Sequence, residues 1–397
     1  LFRSISSAMR HKGYFYMTKD ALAYRADSTV GNRQVDVQIR MNDYVAYMTE
    51  AEQADLFRQM RVTEVVFSQG EKPFVREKVL RRNCFIKTGE WYDEYAVERT
   101  YERLNSLGVA KYVDITFDRI GEDALRCVVT MARNKLNTVT AEVGATYSAG
   151  DWGVLGALGY QNRNIFRGAE RLSVNAKVSH EWRAAGNRAL EAKGDVSLTW
   201  PTSLQVALEY NYQTRPDEFT RTIANAHLGY SLTPFRSRWT HSFRFADISY
   251  VYLPWVSEAF RTRFMQPTNI LKHSYEDHFI FALSYALNYN GYRPRRSLRS
   301  YSVFRLSLET AGNTLYGISA AASLKKNGDG AYELFNIPFA QYTKADVSYT
   351  FNHIISEHHR VVWHAAAGAA VPYCNSVSIP FEKRYFGGGS NHVRGWT

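Results

Sequence analysis

From Thr138 onward, hydrophobic and polar residues alternate along the chain. In Leu190-Glu191-Ala192-Lys193-Gly194-Asp195-Val196-Ser197-Leu198-Thr199-Trp200, an extended backbone puts Leu190, Ala192, Val196, Leu198 and Trp200 on one face. Glu191, Lys193, Asp195, Ser197 and Thr199 take the other face. Leu172–Ser179 and Ala345–Asn352 repeat the arrangement. Eleven such strands are predicted, at 138–148, 152–163, 170–182, 189–200, 204–214, 221–233, 238–252, 277–290, 300–312, 341–355 and 359–373. A strand of a globular protein usually has about 5–6 residues, whereas one that crosses a bilayer needs about 9–11. Most of these runs have ten residues or more, so their length favours the membrane. The two longest connections, 253–276 and 313–340, fall at the same end of the predicted sheet, and short turns such as 201–203 and 356–358 fall at the other. Long loops at one end and short turns at the other are the habit of outer-membrane barrels. Trp182, Trp200, Tyr250, Tyr252 and Trp255 crowd strand ends, where interfacial aromatic girdles would lie.

Before Thr138 the spacing is helical. Phe2, Ile5, Ala8 and Met9 predict a helix over 2–12, stopped by Gly13. Strand-like runs follow at Tyr14–Thr18 with Ala21–Arg25, and at Val35–Met41. A second unit begins with a strand at Val62–Phe67 and a helix at Phe74–Arg82. It continues with a helix at Tyr95–Leu107, stopped by Gly108, and strands at Lys111–Phe117 and Leu125–Met131. Its order is β-α-α-β-β.

Composition narrows the class. The mean hydropathy of −0.37 and the lack of an apolar run of about 18 residues argue against a helical membrane span. They do not argue against a barrel, whose alternating strands average to polar. The 397 residues carry a net charge of +11, scattered over the strands rather than gathered in a block. That distribution suits anionic lipid headgroups and lacks the compact basic footprint of a nucleic-acid-binding protein. Cys84, Cys127 and Cys374 are too few and too far apart for a disulfide framework or a zinc site. They are expected to be free buried thiols, with a Cys84–Cys127 pair left open. No signal peptide is visible, and Leu1-Phe2-Arg3 reads as the middle of a helix, so the natural start is expected further upstream.

The stretch Arg384-Tyr385-Phe386-Gly387-Gly388-Gly389-Ser390-Asn391-His392-Val393-Arg394-Gly395-Trp396 is not strand-forming. It reads as a tight loop that presents one arginine beside one aromatic. It resembles the loop motif of the bacterial outer-membrane assembly-factor superfamily of the BamA and TamA type, and its Gly-Gly-Ser-Asn preface and tryptophan look closest to the TamA-like lipoprotein branch, TamL. Asn164-Ile165-Phe166-Arg167-Gly168 likewise resembles the turn that the family carries after its second strand. The β-α-α-β-β order matches the POTRA module that precedes the barrel there.

The resemblance implies α+β POTRA modules followed by an all-β transmembrane antiparallel β-barrel of about sixteen strands, of which about eleven are in this sequence. The implied domains are a partial POTRA at 1–43, a POTRA at 60–134 adjoining the barrel, and the first part of the barrel at 138–397. The resemblance further implies that the loop folds back into the lumen and that Arg394 pins it to the inner wall. Gly387, Gly388, Gly389 and Gly395 supply the backbone freedom, Ser390 and Val393 complete the motif, and Trp396 replaces the more usual Tyr or Phe. The first strand, 138–148, would border a lateral gate. The implied function is assembly or insertion of outer-membrane proteins, with POTRA modules in the periplasm capturing unfolded clients. Outer-membrane lipid and a TamB-like periplasm-spanning partner are implied, with a role in envelope transport and no cofactor.

Other features carry less. Gly150, Gly153, Gly156 and Gly159 precede no helix, so they read as permitting curvature in the second strand rather than cradling a phosphate. His353, His358, His359 and His364 surround a turn and lack the carboxylates or thiols that would complete a metal site. No nucleophile, base and orienting group stand together, and no G-x-S-x-G marks a strand-to-helix turn, so no enzyme is expected. Two rival functions share the strand pattern: a two-partner-type secretion pore or passive channel, and a soluble β-rich binding protein.

Overall fold

The computed structural model describes residues 2–27, 36–148, 151–182, 188–201, 203–234, 237–266, 276–292, 299–328 and 330–385. It divides into two units, one of residues 1–136 with 163–169, the other of 137–162 with 170–397.

The first unit opens with helix α1 (Phe2–Arg10), which Gly13 ends at φ +103. The expected strand at Tyr14–Thr18 is instead a chain of tight turns. Phe15 N donates to Gly13 O and Met17 N to Tyr14 O, which drives Met17 to complete burial and Phe15 into a ring cluster with Tyr16, Tyr92 and Phe117. Apolar residues at successive positions thus serve two cores, which alternation could not reveal. Strands β1 (Leu22–Asp27) and β2 (Asp36–Met41) pair antiparallel. Helix α2 (Glu50–Leu56), absent from the periodicity, starts at a capping box in which Thr49 and Glu52 exchange side-chain and backbone hydrogen bonds. It buries only Leu56, too little to print a helical stripe.

Strand β3 (Arg61–Ser68), helices α3 (Glu77–Arg82) and α4 (Glu94–Ser106), and strands β4 (Ala110–Arg119) and β5 (Ala124–Arg133) follow in the predicted order. Helix α3 is shorter than predicted because Phe74 and Val75 lie ahead of it as buried residues of the core. The sheet order is β3-β5-β4, with β3 parallel and β4 antiparallel to β5. Leu80, Leu104, Val109 and Val129 are fully buried between helices and sheet. Cys84 and Cys127 are unpaired thiols in or against this core, whereas Cys374 is exposed, contrary to the expectation of three buried cysteines.

The second unit is dominated by one antiparallel sheet that contains all eleven predicted strands. They are β6 (Asn137–Ser148), β7 (Asp151–Asn162), β8 (Arg171–Trp182), β9 (Arg188–Thr199), β10 (Leu204–Arg215) and β11 (Phe219–Leu232). Strands β12 (Trp239–Val256), β13 (His278–Asn290) and β14 (Tyr301–Ala311) come next. The long connections are partly ordered: α5 (Glu258–Phe264) follows β12, and α6 (Asn313–Ala321) with the small hairpin β15 (Glu333–Leu334) and β16 (Ile337–Pro338) follows β14. Strands β17 (Tyr342–Ile354) and β18 (Arg360–Pro372) complete the sheet. Successive strands of this sheet are neighbours in space from β6 to β18, the β15–β16 hairpin standing apart from it, and among the described residues these two outermost strands are paired on one side only, so the sheet is open. No described helix is long and apolar enough to cross a membrane.

Register turns the alternation into two surfaces. Val139, Tyr160, Val174, Val196, Leu208, Ala226, Ile248 and Phe281 lie directly opposite one another on eight successive strands, an unbroken apolar row. One residue along, Thr140, Gly159, Asn175, Asp195, Glu209, Asn225 and Ser249 form a polar row on the other face. Among the described residues the apolar row is largely uncovered: Val139 is 74% and Leu208 57% exposed, and Tyr160, Val174 and Val196 are exposed as well. An uncovered apolar band of this extent is foreign to a soluble protein and suits hydrocarbon.

Candidate functional site

Two places in the fold join the sequence motifs to distant residues. The first is the turn Arg163–Ala169, which links β7 to β8 in sequence but packs as part of the first unit. Asn164 is buried and uses both ends of its amide: Nδ2 donates to Phe74 O at 2.7 Å, and Oδ1 accepts from Ala169 N at 2.8 Å. Arg167 O accepts from Arg76 N at 2.9 Å, just ahead of α3, and its guanidinium donates to Pro73 O at 2.8 Å. Arg167 and Ala169 both hold positive φ, near +60°, a conformation unfavourable for side chains larger than glycine. It persists because the surrounding bonds over-determine it. Ala169 joins the hydrophobic core of Leu80 and Leu104, while Phe166 stays exposed.

The second place is the stem of the glycine loop, Phe381–Tyr385, seated on the polar face of the sheet. Glu382 accepts from Arg221 of β11 at 3.4 Å and meets His278 Nε2 of β13 at 3.1 Å. Burial acts to raise the Glu382 carboxyl, but the hydrogen bond and charge of His278, with the Arg221 guanidinium, outweigh it and hold the carboxyl below the ordinary glutamate range. Lys383 reaches Glu309 of β14 at 3.0 Å and Asp247 of β12 at 3.9 Å. Tyr385 donates to Asp346 of β17, and Lys344 Nζ stands 4.3 Å from the centre of its ring. Gly368 of β18 lies opposite Asp346; a Cβ there would come within 2.5 Å of Tyr385 Oη. The stem thus meets six strands, and the missing side chain at Gly368 is the cut-out that admits the tyrosine.

Of the residues singled out from sequence, Asn164, Phe166 and Arg167 are placed as above, and Gly168 lies in the same turn between Arg167 and Ala169. Gly387, Gly388, Gly389, Ser390, Val393, Arg394, Gly395 and Trp396 lie outside the described residues, as does Gly150. Gly159 belongs to the polar row, where a Cβ would collide with Thr140 Oγ1. The turn histidines find hydroxyl partners: His353 Nδ1 meets Ser300 Oγ, His364 Nδ1 meets Thr350 Oγ1, and His358 N and His359 N donate to Ser356 Oγ. Glu382, Lys383, Arg221, His278 and Gly368 escaped sequence reasoning, as did the role of Tyr385, which stood there only as part of the loop stretch. The available signal was faint: Pro380-Phe381-Glu382-Lys383-Arg384 places charges two aromatic residues ahead of a glycine triplet, in a position with no strand to alternate along.

Comparisons agree with this architecture. Among solved structures, BamA from Haemophilus ducreyi lacking POTRA domains 1–3 is similar at 13% identity and a TM-score of 0.52, with 98% of this chain and 66% of that one covered. CdiB from Acinetobacter baumannii matches at 12% identity and TM-score 0.51, covering 97% of this chain and 62% of that one. CdiB from Escherichia coli matches at 14% and 0.53, covering 100% and 66%. At such identities the likeness is one of fold, and this chain spans 62–66% of the length of those structures. No curated protein matches by sequence. The Omp85 superfamily domain matches residues 140–397, from the first strand of the large sheet to the end of the glycine loop. With well over half of its sequence inside that match, this chain belongs to the Omp85 superfamily.

Proposed function

We propose that the chain works in the outer membrane as a protein-assembly or insertion factor, with the strands from β6 onward in the bilayer and the first unit in the periplasm. Omp85 membership and the barrel-type sheet support the outer-membrane location. The observation that carries the reading is the uncovered apolar row across eight strands, backed one residue along by a polar row. One face is suited to lipid and the other to a wet interior. Residues 60–134 are read as a POTRA module and 1–43 as part of another, on the β-α-α-β-β order of β3, α3, α4, β4 and β5. Strand β6, paired only with β7 among the described residues, offers an open backbone edge at which a client strand could add by β-augmentation. Arg394 would then hold the loop against the inner wall beyond the stem, and the TamA-like reading implies a TamB-like partner and a part in envelope transport.

The test is reconstitution of the full-length protein in vesicles. Arg394→Ala is expected to slow folding of an outer-membrane client while the protein itself stays inserted. Unchanged client folding would remove the pinning role. A passive secretion channel is the second reading, favoured by the polar row, which could line a conduit. Single-channel recording with the glycine loop deleted separates the two, since a large, stable conductance without client-folding activity belongs to the channel.

A further inference from the structure

Beside the stem, at the end of the sheet that carries α5, lies a cavity of about 540 Å³. Two of its walls are tied together. Ser257, the N-cap of α5, donates its backbone N–H to Glu218 O at 2.9 Å and its hydroxyl to Asp217 O at 2.6 Å, tying the helix to the β10–β11 turn. Phe219 and Phe260 meet edge to face at 5.5 Å, and Phe381 of the stem adds a further apolar wall.

Three guanidiniums line this space, those of Arg215, Arg221 and Arg263, against the carboxylates of Asp217 and Glu218. The pairing of two of them is poor. Arg215 meets Glu218 at 3.5 Å, and Arg221 meets Glu382 and Gln213 at 3.4 Å each, all longer than the usual 2.7–3.2 Å. Nε of Arg215 and Nε of Arg221 are buried and have no hydrogen-bond partner among the described residues. Both guanidiniums flank the ring of Phe219, at 5.6 and 6.0 Å, which holds them in place without satisfying their N–H groups. A buried donor left unmade is costly, and the fork of a guanidinium is matched by an oxyanion that accepts two bonds at once.

The geometry points to a binding site for a phosphate-class oxyanion, one whose occupancy is coupled to the glycine loop. The volume exceeds what a free ion needs, and the three phenylalanines suit a ligand that carries the oxyanion on a larger body. The coupling runs through Arg221, which lines the cavity and also holds Glu382 of the stem. A ligand that engages this guanidinium competes with Glu382, so filling the cavity loosens the loop's seat, and a seated loop weakens the ligand. The competition for Arg221 operates whether the protein assembles clients or passes cargo.

Isothermal titration of the full-length protein in detergent micelles tests it, first with inorganic phosphate and then with micelle-dispersed phosphatidic acid, with phosphatidylcholine as the blank. Saturable binding at one site is expected. A response to phosphate alone identifies a free ion, and a response confined to phosphatidic acid identifies a lipid headgroup. Arg221→Gln and Arg263→Gln should each weaken binding about tenfold or more. Glu382→Gln, which removes the competitor, should tighten it. Arg263 stands on α5 and takes no part in the stem ion pairs described above, so its variant reports on the ligand even if Arg221→Gln fails to fold, and a heat-induced gel shift checks folding throughout. No saturable binding of either probe overturns the proposal, as does a Glu382→Gln protein that binds no better than wild type.

Discussion

Cys127 and Cys374 show how far a residue's chemistry depends on its surroundings. Burial, with a smaller contribution from Cys84, pushes the Cys127 thiol up from an ordinary value near 9 to about 12. Because the neutral form is the one the fold holds, the stability it contributes is complete below pH 9 and is lost as pH rises toward 12. Alkaline unfolding of the first unit should therefore be shallower in Cys127→Ala than in wild type between those two pH values. Exposed Cys374 should react with a maleimide in the native state, whereas Cys127 should require denaturant. Mass spectrometry of the labelled protein reads both sites, and native labelling of Cys127 would contradict its burial. Gly368 makes the same point about shape. Gly368→Val puts carbon where Tyr385 sits and should release the stem, so that trypsin cuts after Lys383 or Arg384 sooner than in wild type while the heat-induced gel shift survives.

At the scale of the strand, alternation decides everything about orientation. A shift of one position exchanges the two faces, so the cross-strand partnership of Val174, Val196 and Leu208 commits the intervening Asp195 and Glu209 to the opposite side. Leu208→Arg is expected to destabilise the vesicle-inserted state by about 2–4 kcal/mol, the cost of a cation near the bilayer midplane. Glu209→Gln, one residue away on the polar face, should change it by about 0.5 kcal/mol or less. Denaturant titration of the full-length protein in vesicles compares them, and equal effects would mean that the apolar row does not meet lipid. Element boundaries follow the same physics. The eleven strands were legible to within a few residues because period-two burial is a local property, whereas Tyr14–Thr18 was misread because its apolar residues feed two cores through turns.

Across the whole chain, the division into units does not follow sequence order. Residues 163–169 return to the first unit after a strand pair of the second, bring Ala169 into a core otherwise made from residues before 137, and bond Asn164 to Phe74 of that core. Residues 1–136 joined through a flexible linker to 163–169 should melt several degrees above 1–136 alone, and Asn164→Ala in the joined form should forfeit about 1–3 kcal/mol of that gain by stranding Phe74 O and Ala169 N. Equal melting of the two forms would show that the turn adds nothing. Sequence alone determined the eleven strands of the large sheet, their two faces, the order β3-α3-α4-β4-β5 in the first unit and the loop motif that pointed to the superfamily, because each of these repeats or sits close together along the chain. Tertiary structure decided the seat of the stem, the clasp of Asn164 and the arginine-lined cavity. Glu382 meets Arg221 across 161 positions and His278 across 104, and Asn164 meets Phe74 across 90. Such partners are selected by where the sheet register and the returning chain carry them, and no periodicity in the residues between them records the meeting.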